Sequence, residues 1–271
     1  MAATARRAAK KDLQAAQIFT SNQRRWKGSP IPPGEAAEFR RLVRVPVLSH
    51  ASYLINPAGG RPAVRQRSRR ALGEELARMR QLGIRLMVLH PGSHLGDGPA
   101  RGIDRAAAML GSVLEQTDYD DAVILLENTA GMGSSLGADL RQLAAVAGLV
   151  DAPGRVGFCI DTAHLHGAGY DLRPQRLPST VERMLEELGG PVGAFHLNDS
   201  AVKAGSRLDR HQRVGEGEVG RKPLAMLASM QQFAGVPAVL ETPGEDEDRE
   251  RDAAMIRKCS ESLHSDFSEC M

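Results

Sequence analysis

Histidine and carboxylate side chains recur at the ends of short apolar runs in this sequence, and these residue types are typical of metal chemistry. The set comprises five histidines and four carboxylates, namely His50, His90, Glu127, Asp161, His164, His196, Asp209, His211 and Glu241. Neutral imidazoles and carboxylates bind divalent cations, and sites without thiolates suit open catalytic centres. At three or four ligands per ion, with one carboxylate shared, nine ligands predict two or three ions.

Each of these residues taken alone is weak support for a metal site. A lone histidine at a strand end more often makes a structural hydrogen bond, and the Asp161–His164 spacing is common in proteins. The pair Asp209 and His211 is weaker still, because both face one side only if their segment is extended. Taken together, nine costly polar groups at one place are hard to explain without cations that compensate their charge.

The elements that must position these side chains are short strands alternating with helices. The predicted strands are Ala16–Thr20, Pro46–His50, Leu86–His90, Ala122–Glu127, Val156–Asp161, Val192–His196 and Pro237–Glu241. The predicted helices are Val64–Leu82, Arg101–Thr117, Leu136–Leu149, Thr180–Leu188, Pro223–Phe233 and Asp246–Leu263. Such alternation predicts parallel βα units.

Two architectures fit this alternation, an open doubly wound sheet and a closed (β/α)8 barrel. An open sheet would spread the polar strand ends along an edge tens of ångströms long. A barrel gathers them at one mouth, where enzymes of this fold keep their sites. The sequence therefore predicts an α/β fold with a TIM-type barrel. No linker interrupts the pattern, so residues 1–271 are expected to form one domain.

The two ends of the chain and its composition add weaker expectations. The basic N-terminal segment, residues 1–15, has an Ala-rich stretch at Ala3–Gln14 that is expected to be helical, and residues 264–271 are expected to be a frayed tail. Residues 1–80 carry 17 Lys or Arg against 5 Asp or Glu, which suits a polyanionic partner. Three cysteines and the lack of a long apolar run predict a cytoplasmic protein without disulfides or a membrane span.

The polar motifs resemble those of a known family. The resemblance lies in the segments SNQRRW, HASYLIN, HPGSHLG, ENTAGMGSSLG, CIDTAH, AGYDL, HLNDS, GSRLDRH, GEGEVG and LET, which run from about Ile18 to Thr242. Together they resemble the motif set of the endonuclease IV family, also called apurinic/apyrimidinic endonuclease family 2. The resemblance implies a (β/α)8 barrel with three zinc ions in its mouth. The histidine and carboxylate ligands themselves favour zinc, with manganese as an alternative at one of the sites.

The same resemblance implies how the nine residues divide among the ions. It assigns the first zinc to His50, His90 and Glu127. It assigns the second zinc to Glu127, Asp161, His196 and Glu241, so that Glu127 bridges two ions and acts in catalysis. It assigns the third zinc to His164, Asp209 and His211.

The resemblance also implies an activity and a partner. Members of the family act on double-stranded DNA, cutting on the 5′ side of abasic sites to leave a 3′-hydroxyl and a 5′-deoxyribose phosphate, and they trim blocked 3′ ends. Gln23, Arg24, Tyr53 and Leu54 would penetrate the base stack, and the abasic nucleotide would be flipped into the mouth. We expect a monomer.

One motif of the family has no counterpart in this sequence. The family opens with a strand carrying a G-x-H-x-S type motif, and this chain starts within what would be the following helix. We therefore expect a barrel that lacks its first strand, with the strands at Ala16–Thr20 and Pro237–Glu241 on either side of an open seam. Because that strand contributes no zinc ligand in the family, the metal site is expected to remain.

Two other functions stay open at this point. A metal-dependent sugar isomerase or epimerase also uses His, Asp and Glu at the strand ends of a barrel, although such enzymes usually need fewer ligands. A DNA-binding protein that has lost catalysis is the alternative outside the enzymes. Incubation with an abasic-site duplex separates these hypotheses, since only the nuclease cuts it.

Overall fold

The central element of the molecule is a seven-stranded parallel sheet. The computed structural model describes residues 4–6 and 13–268, with side chains as far as residue 263. The sheet strands are β1 (Ala16–Ile18), β2 (Val47–His50), β3 (Leu86–Leu89), β4 (Val123–Glu127), β5 (Val156–Asp161), β6 (Val192–His196) and β9 (Ala238–Val239). A separate antiparallel pair is formed by β7 (Asp199–Ser200) and β8 (His211–Gln212).

The strands follow each other around a nearly closed barrel. Their order is β1-β2-β3-β4-β5-β6-β9, and every neighbouring pair is parallel. Within the described residues, β1 and β9 are the two edge strands, and a groove of about 1250 Å³ lies along them. The predicted barrel, with an open seam at these two strands, is confirmed.

Helices cover the outside of the sheet. They are α1 (Pro33–Leu42), α2 (Pro62–Leu82), α3 (Pro99–Gln116), α4 (Leu140–Gly148), α5 (Thr162–Ala168), α6 (Leu177–Leu188), α7 (Arg221–Ala228) and α8 (Asp246–Ser268), with a 3-10 turn at Gln231–Phe233. Several begin with proline in the first turn, where its missing N–H has no intrahelical partner to lose. Helix α2 ends at Gly83, whose φ of 70° suits a residue without a Cβ.

The structure departs from the sequence prediction in a few elements. The helix predicted at Leu136–Leu149 begins only at Leu140, because the preceding glycine-rich segment forms a loop over the barrel mouth. The helix predicted at Pro223–Phe233 is two pieces, α7 and the 3-10 turn. Helices α1 and α5 and the pair β7–β8 were not predicted. Helix α5 and the two-residue strands are too short to show a hydrophobic period, whereas α1 was missed despite its 10 residues.

The two chain ends are partly described. Residues 4–6 are helical, whereas Leu13 and Gln14 are not, so the helix predicted at Ala3–Gln14 ends earlier than expected. The rest of that segment lies outside the described residues. The tail expected to be frayed from residue 264 is helical as far as Ser268. Among the described helices, none combines the length and the hydropathy needed to span a bilayer.

The barrel interior contains one side chain from nearly every strand. These are Leu48, Val88, Leu125, Cys159, Ala194 and Val239, all of them buried. In a strand, residues two positions apart face the same side. The residues two positions further on are His50, His90, Glu127, Asp161, His196 and Glu241. The alternation that fills the interior therefore also directs these six polar side chains into the mouth.

The interior layer gives a prediction about stability. Leu125 is 1% exposed, and truncating it to alanine leaves a cavity between neighbouring strands. We expect Leu125→Ala to lower the free energy of unfolding by about 3 kcal/mol. Leu149 is 59% exposed, so Leu149→Ala is the matched control and should stay within about 0.5 kcal/mol of the parent protein. Urea unfolding monitored by circular dichroism measures both, and equal losses in the two variants would contradict the assignment of Leu125 to the core.

Candidate metal centre

The first group of candidate ligands lies where β2, β3 and β4 end. His50 Nε2 is 3.3 Å and His90 Nε2 is 3.5 Å from the same oxygen, Oε2 of Glu127. Glu127 and His50 are buried, and His90 is partly exposed toward the mouth. Their nitrogen and oxygen atoms lie within 4.8 Å of one another, which is close enough for one ion to bind all three.

The second group shares Glu127 with the first and adds the ends of β5, β6 and β9. His196 Nδ1 is 3.1 Å from the other oxygen of Glu127, Oε1, and 3.1 Å from Glu241 Oε2. It is also 3.8 Å from Asp161 Oδ2. The two oxygens of Glu127 thus face different groups, which is the arrangement of a carboxylate able to bridge two cations.

The third group contains His164 and His211, and two aspartates lie close to this pair. One potential ligand atom from each of Asp161, His164 and His211 lies within 4.8 Å of the other two. Asp209, the expected ligand, is also close, since its Oδ2 is 3.3 Å from His164 Nε2 and its Oδ1 is 3.4 Å from His211 Nε2. All nine predicted residues therefore converge at one mouth, with either aspartate near the third group.

Outer hydrogen bonds determine which ring nitrogen four of the five histidines present to the mouth. The Nδ1–H groups of His50, His164 and His211 donate to main-chain carbonyl oxygens at 2.8, 2.9 and 3.3 Å. A carbonyl can only accept, so in the neutral form of each ring the proton lies on Nδ1 and the lone pair of Nε2 faces the site. His196 is reversed: its Nε2 faces the side-chain oxygen of Gln17 at 2.8 Å, and its Nδ1 faces the carboxylates. Such outer partners are typical of metal-binding histidines.

The electrostatics of the cluster hold Glu127 and Glu241 ionised. Burial by itself would raise the pKa of Glu127, but His90 and His196 hold it well below its usual range. Burial likewise opposes ionisation of Glu241, yet His196 lowers its pKa to about 2. Burial would lower the pKa of His164, but Asp161 raises it well above the ordinary histidine value. The cluster is therefore a set of anionic oxygens that require positive charge nearby, either as protons or as bound cations.

One buried atom supports cations over protons as the intended partner. His211 Nε2 is buried and makes no hydrogen bond within the described part of the chain, although Asp161 Oδ2 and Asp209 Oδ1 each lie 3.4 Å away. A buried nitrogen without a hydrogen bond is costly unless something else binds it. Its Nδ1–H already donates to the Glu241 carbonyl, so its free lone pair suits a metal ion. The donor set of imidazoles and carboxylates fits zinc, and it also accommodates manganese.

Three polar residues of the site were missed by sequence reasoning. Asn128 and Asn198 orient Asp161: Asn128 exchanges two hydrogen bonds with its main chain, and Asn198 Nδ2 donates to its Oδ2 at 2.6 Å. Gln17 contacts both His196 and Glu241. Each asparagine lies one or two residues beyond a candidate ligand, which was an available signal. Gln17 gave no such signal, because it lies within an apolar run.

The residues expected to contact DNA lie on two adjoining loops beside the first group. Arg24 and Tyr53 are exposed, and Gln23 and Leu54 are partly exposed. The hydroxyl of Ser52 donates to the main-chain oxygen of Gln23 at 2.9 Å and so joins the two loops. The ring of Tyr53 lies 5.4 Å from that of His50, measured between centroids. The Tyr53 ring therefore borders the mouth next to the candidate metal ligands, and Gln23, Arg24 and Leu54 lie on the two joined loops beside it.

Comparisons with known proteins place this site in a family. A family model described as a xylose isomerase-like TIM barrel matches residues 5–259. A protein named "Probable endonuclease 4" from Halorhodospira halophila is 40% identical over 263 residues, which cover 93% of this chain and 88% of that protein. The chain belongs to the endonuclease IV family. Another member, from Nitratidesulfovibrio vulgaris strain Hildenborough, is 42% identical over 91% of this chain and 90% of its own length.

Solved structures agree with the endonuclease IV family. The crystal structure of endonuclease IV from Thermus thermophilus superposes with a TM-score of 0.84 at 30% identity, covering 96% of this chain and 94% of that one. A D-tagatose 3-epimerase-like protein superposes with a TM-score of 0.77 at 17% identity, covering 97% of this chain and 94% of that one. The second likeness concerns the barrel fold alone.

Proposed function

We propose that this protein is a metal-dependent endonuclease that hydrolyses the phosphodiester on the 5′ side of abasic sites in double-stranded DNA. Its products would be a 3′-hydroxyl and a 5′-deoxyribose phosphate, and it would also trim blocked 3′ ends. The observation that carries the proposal is the convergence of nine histidine and carboxylate side chains on one barrel mouth, in a chain of the endonuclease IV family. A phosphodiester is anionic, so a site of this kind must supply positive charge.

The cofactor in this proposal is zinc, with three ions per chain and manganese as an alternative at one of them. His50, His90 and Glu127 hold the first ion, and Glu127, Asp161, His196 and Glu241 hold the second. His164 and His211 hold the third with Asp209. Bound cations of this kind neutralise the phosphate charge and make a bound water more acidic.

The residues of the chain have separate tasks in this proposal. Glu127, which we assign as the catalytic carboxylate, joins the first two groups through its two oxygens and fixes the distance between them. Asp161 accepts the main-chain N–H of His164 at 2.8 Å as the N-cap of α5, so both side chains are held by a helix terminus. A preorganised set of this kind lets substrate bind without rearrangement of the ligands.

Recognition of the abasic site is assigned to the two loops beside the first group. Arg24 and Tyr53 extend into solvent at the mouth, where they can enter the gap left by a missing base, with Gln23 and Leu54 beside them. Flipping of a nucleotide costs least where pairing is already lost, which favours abasic over intact duplex. Tyr53 lies close enough to His50 and His90 to contact a nucleotide bound at the first group.

Alanine at Arg24 or Tyr53 should weaken discrimination between abasic and intact duplex. Both side chains are exposed and neither is a candidate ligand, so metal content should remain that of the parent protein. We expect the ratio of the two dissociation constants to fall by about tenfold, the equivalent of one stacking or charged contact. Fluorescence anisotropy with matched duplexes measures it, and Arg70→Ala, an exposed arginine on α2, is the control. An unchanged ratio in both variants would remove these residues from recognition.

The activity itself is tested with a duplex that contains a single abasic site. The zinc-loaded protein should cut it once, on the 5′ side, and should leave an intact duplex whole. Binding without cutting would favour a DNA-binding protein that has lost catalysis. If the protein neither binds nor cuts the duplex, the sugar isomerase or epimerase hypothesis is open again. A screen with ketohexoses then tests it.

The setting proposed for this enzyme is the cytoplasm, where it would act as a monomer. Among the described residues, Cys159 and Cys259 are free thiols, which suits a reducing compartment. Size-exclusion chromatography with light scattering tests the oligomeric state.

A further inference from the structure

Gln17 occupies on β1 the same inward position that the candidate ligands occupy on the other strands. Its neighbour two residues earlier, Ala15, packs against the interior layer of the barrel. Each of the six ligands at the ends of β2 to β6 and β9 likewise follows an interior residue by two positions. The alternation of the strand therefore points Gln17 into the mouth, although an amide is a poor metal ligand next to imidazoles and carboxylates.

The amide of Gln17 joins two candidate ligands of the second group. Its Nε2 donates to Glu241 Oε1 at 2.6 Å, and its Oε1 lies 2.8 Å from His196 Nε2. A carboxylate can only accept, so the NH₂ group of the amide must face Glu241 and its oxygen must face His196. The His196 ring therefore donates from Nε2, and in its neutral form its Nδ1 presents a lone pair to the second group.

This arrangement determines what His196 presents to the second group. Its Nδ1 is 3.1 Å from both Glu127 Oε1 and Glu241 Oε2, and these two residues would hold a cation together with it. If the proton moved from Nε2 to Nδ1, the ring would donate to a carboxylate at that place instead of binding an ion. The other candidate ligands His50, His164 and His211 are held by hydrogen bonds to main-chain carbonyl oxygens. His196 depends on a side chain.

We propose that Gln17 is a positioning residue that selects the metal-binding form of His196 and aims Glu241 at the second group. The inference rests on the proposed function, since it assumes that the second group binds a cation. Loss of the amide leaves the Nε2–H of His196 buried without an acceptor and frees the Glu241 carboxylate to rotate. Removal of such an outer partner typically lowers metal affinity 10- to 100-fold.

The test replaces Gln17 with methionine, which has a similar length and no hydrogen-bonding amide. Zinc-loaded Gln17→Met is titrated with a chromophoric chelator of known affinity, and each equivalent of zinc released is followed. We expect one equivalent to bind on the order of 10- to 100-fold more weakly, with the others within about twofold of the parent protein. Gln142→Met is the control, because Gln142 is also half-buried and its amide oxygen accepts the Gly137 N–H at 2.8 Å, a bond that involves no candidate ligand.

Two outcomes would overturn the inference. One is release of every equivalent as in the parent protein, and the other is uniform weakening of all equivalents, as expected from general loosening of the fold. If Gln17→Met does not fold, Gln17→Asn is used, since its shorter amide cannot reach both partners and the same selective loss of one equivalent is expected. A parent protein that binds no zinc would instead refute the proposed function, so the two failures are distinguishable.

A spectroscopic measurement separates positioning from packing. In the zinc-loaded parent protein, the Nε2 proton of His196 should be visible in a histidine-selective ¹H–¹⁵N spectrum and protected from exchange, because it is buried and hydrogen-bonded. In Gln17→Met that proton should exchange at least tenfold faster, while the Nδ1 protons of His50 and His164 remain protected. Unchanged protection of the His196 proton would contradict the role of Gln17.

Discussion

Replacement of Glu127 by glutamine should lower the rate of cleavage of abasic DNA by on the order of 10³-fold or more. Glu127 is the one side chain shared by the first two groups, and its two oxygens face different histidines. A glutamine has the same shape, but it offers one neutral oxygen where two anionic oxygens stood. The charge that holds two cations at a fixed distance is then missing, so both metal binding and hydrolysis should suffer.

Binding of abasic DNA should survive this substitution, because the loops that carry Arg24 and Tyr53 do not depend on Glu127. Single-turnover cleavage and anisotropy binding, measured on the same preparation, separate the two effects. Glu187→Gln is the matched control, since Glu187 bonds with Tyr170 and Arg183 far from the three groups. Near-normal turnover in Glu127→Gln would rule out the bridging role.

Removal of the metal should abolish cleavage and lower the thermal midpoint of unfolding. Elemental analysis of unchelated protein should find two to three equivalents per chain, mainly zinc. A cation present at a thousand times its dissociation constant stabilises the fold by about 4 kcal/mol. For a chain of this size that energy corresponds to a decrease of about 10 °C on chelation.

Addition of zinc to the chelated protein should restore both the midpoint and the cleavage, whereas magnesium should restore neither, because imidazoles are poor ligands for it. A variant that keeps the barrel but loses the third group, His211→Ala, should bind one equivalent less than the parent protein. Well under one equivalent of metal in folded, unchelated protein would refute the metal-dependent mechanism as a whole.

The sequence by itself determined the order of the elements and the residues of the mouth. Strand positions follow from short apolar runs, and β5 and β6 were predicted with the bounds that the structure has. Because side chains alternate along a strand, a polar residue two positions after a buried one must face the same side. The six ligands at strand ends could therefore be predicted from local patterns alone. His164, Asp209 and His211 belonged to the same set as polar residues of the segments that follow the strands, and the motif resemblance assigned them to the third ion.

Other features depend on contacts between residues far apart in the chain, and only the tertiary structure decided them. The two oxygens of Glu127 face separate groups because β2, β3 and β6 place their histidines on either side of it. Asp161 approaches His211 as closely as Asp209 does, which no spacing in the sequence indicates.

The role of Gln17 is the clearest case of a tertiary effect. It lies 179 residues from His196 and 224 residues from Glu241 in the chain. Nothing in its local sequence distinguishes it from the other residues of β1. Only the curvature of the barrel brings β1 close enough to β6 and β9 for one amide to reach both ligands. The local hydrophobic pattern thus determines which residues enter the mouth. The curvature of the sheet determines which of them come into contact and which ring nitrogen of His196 faces the carboxylates.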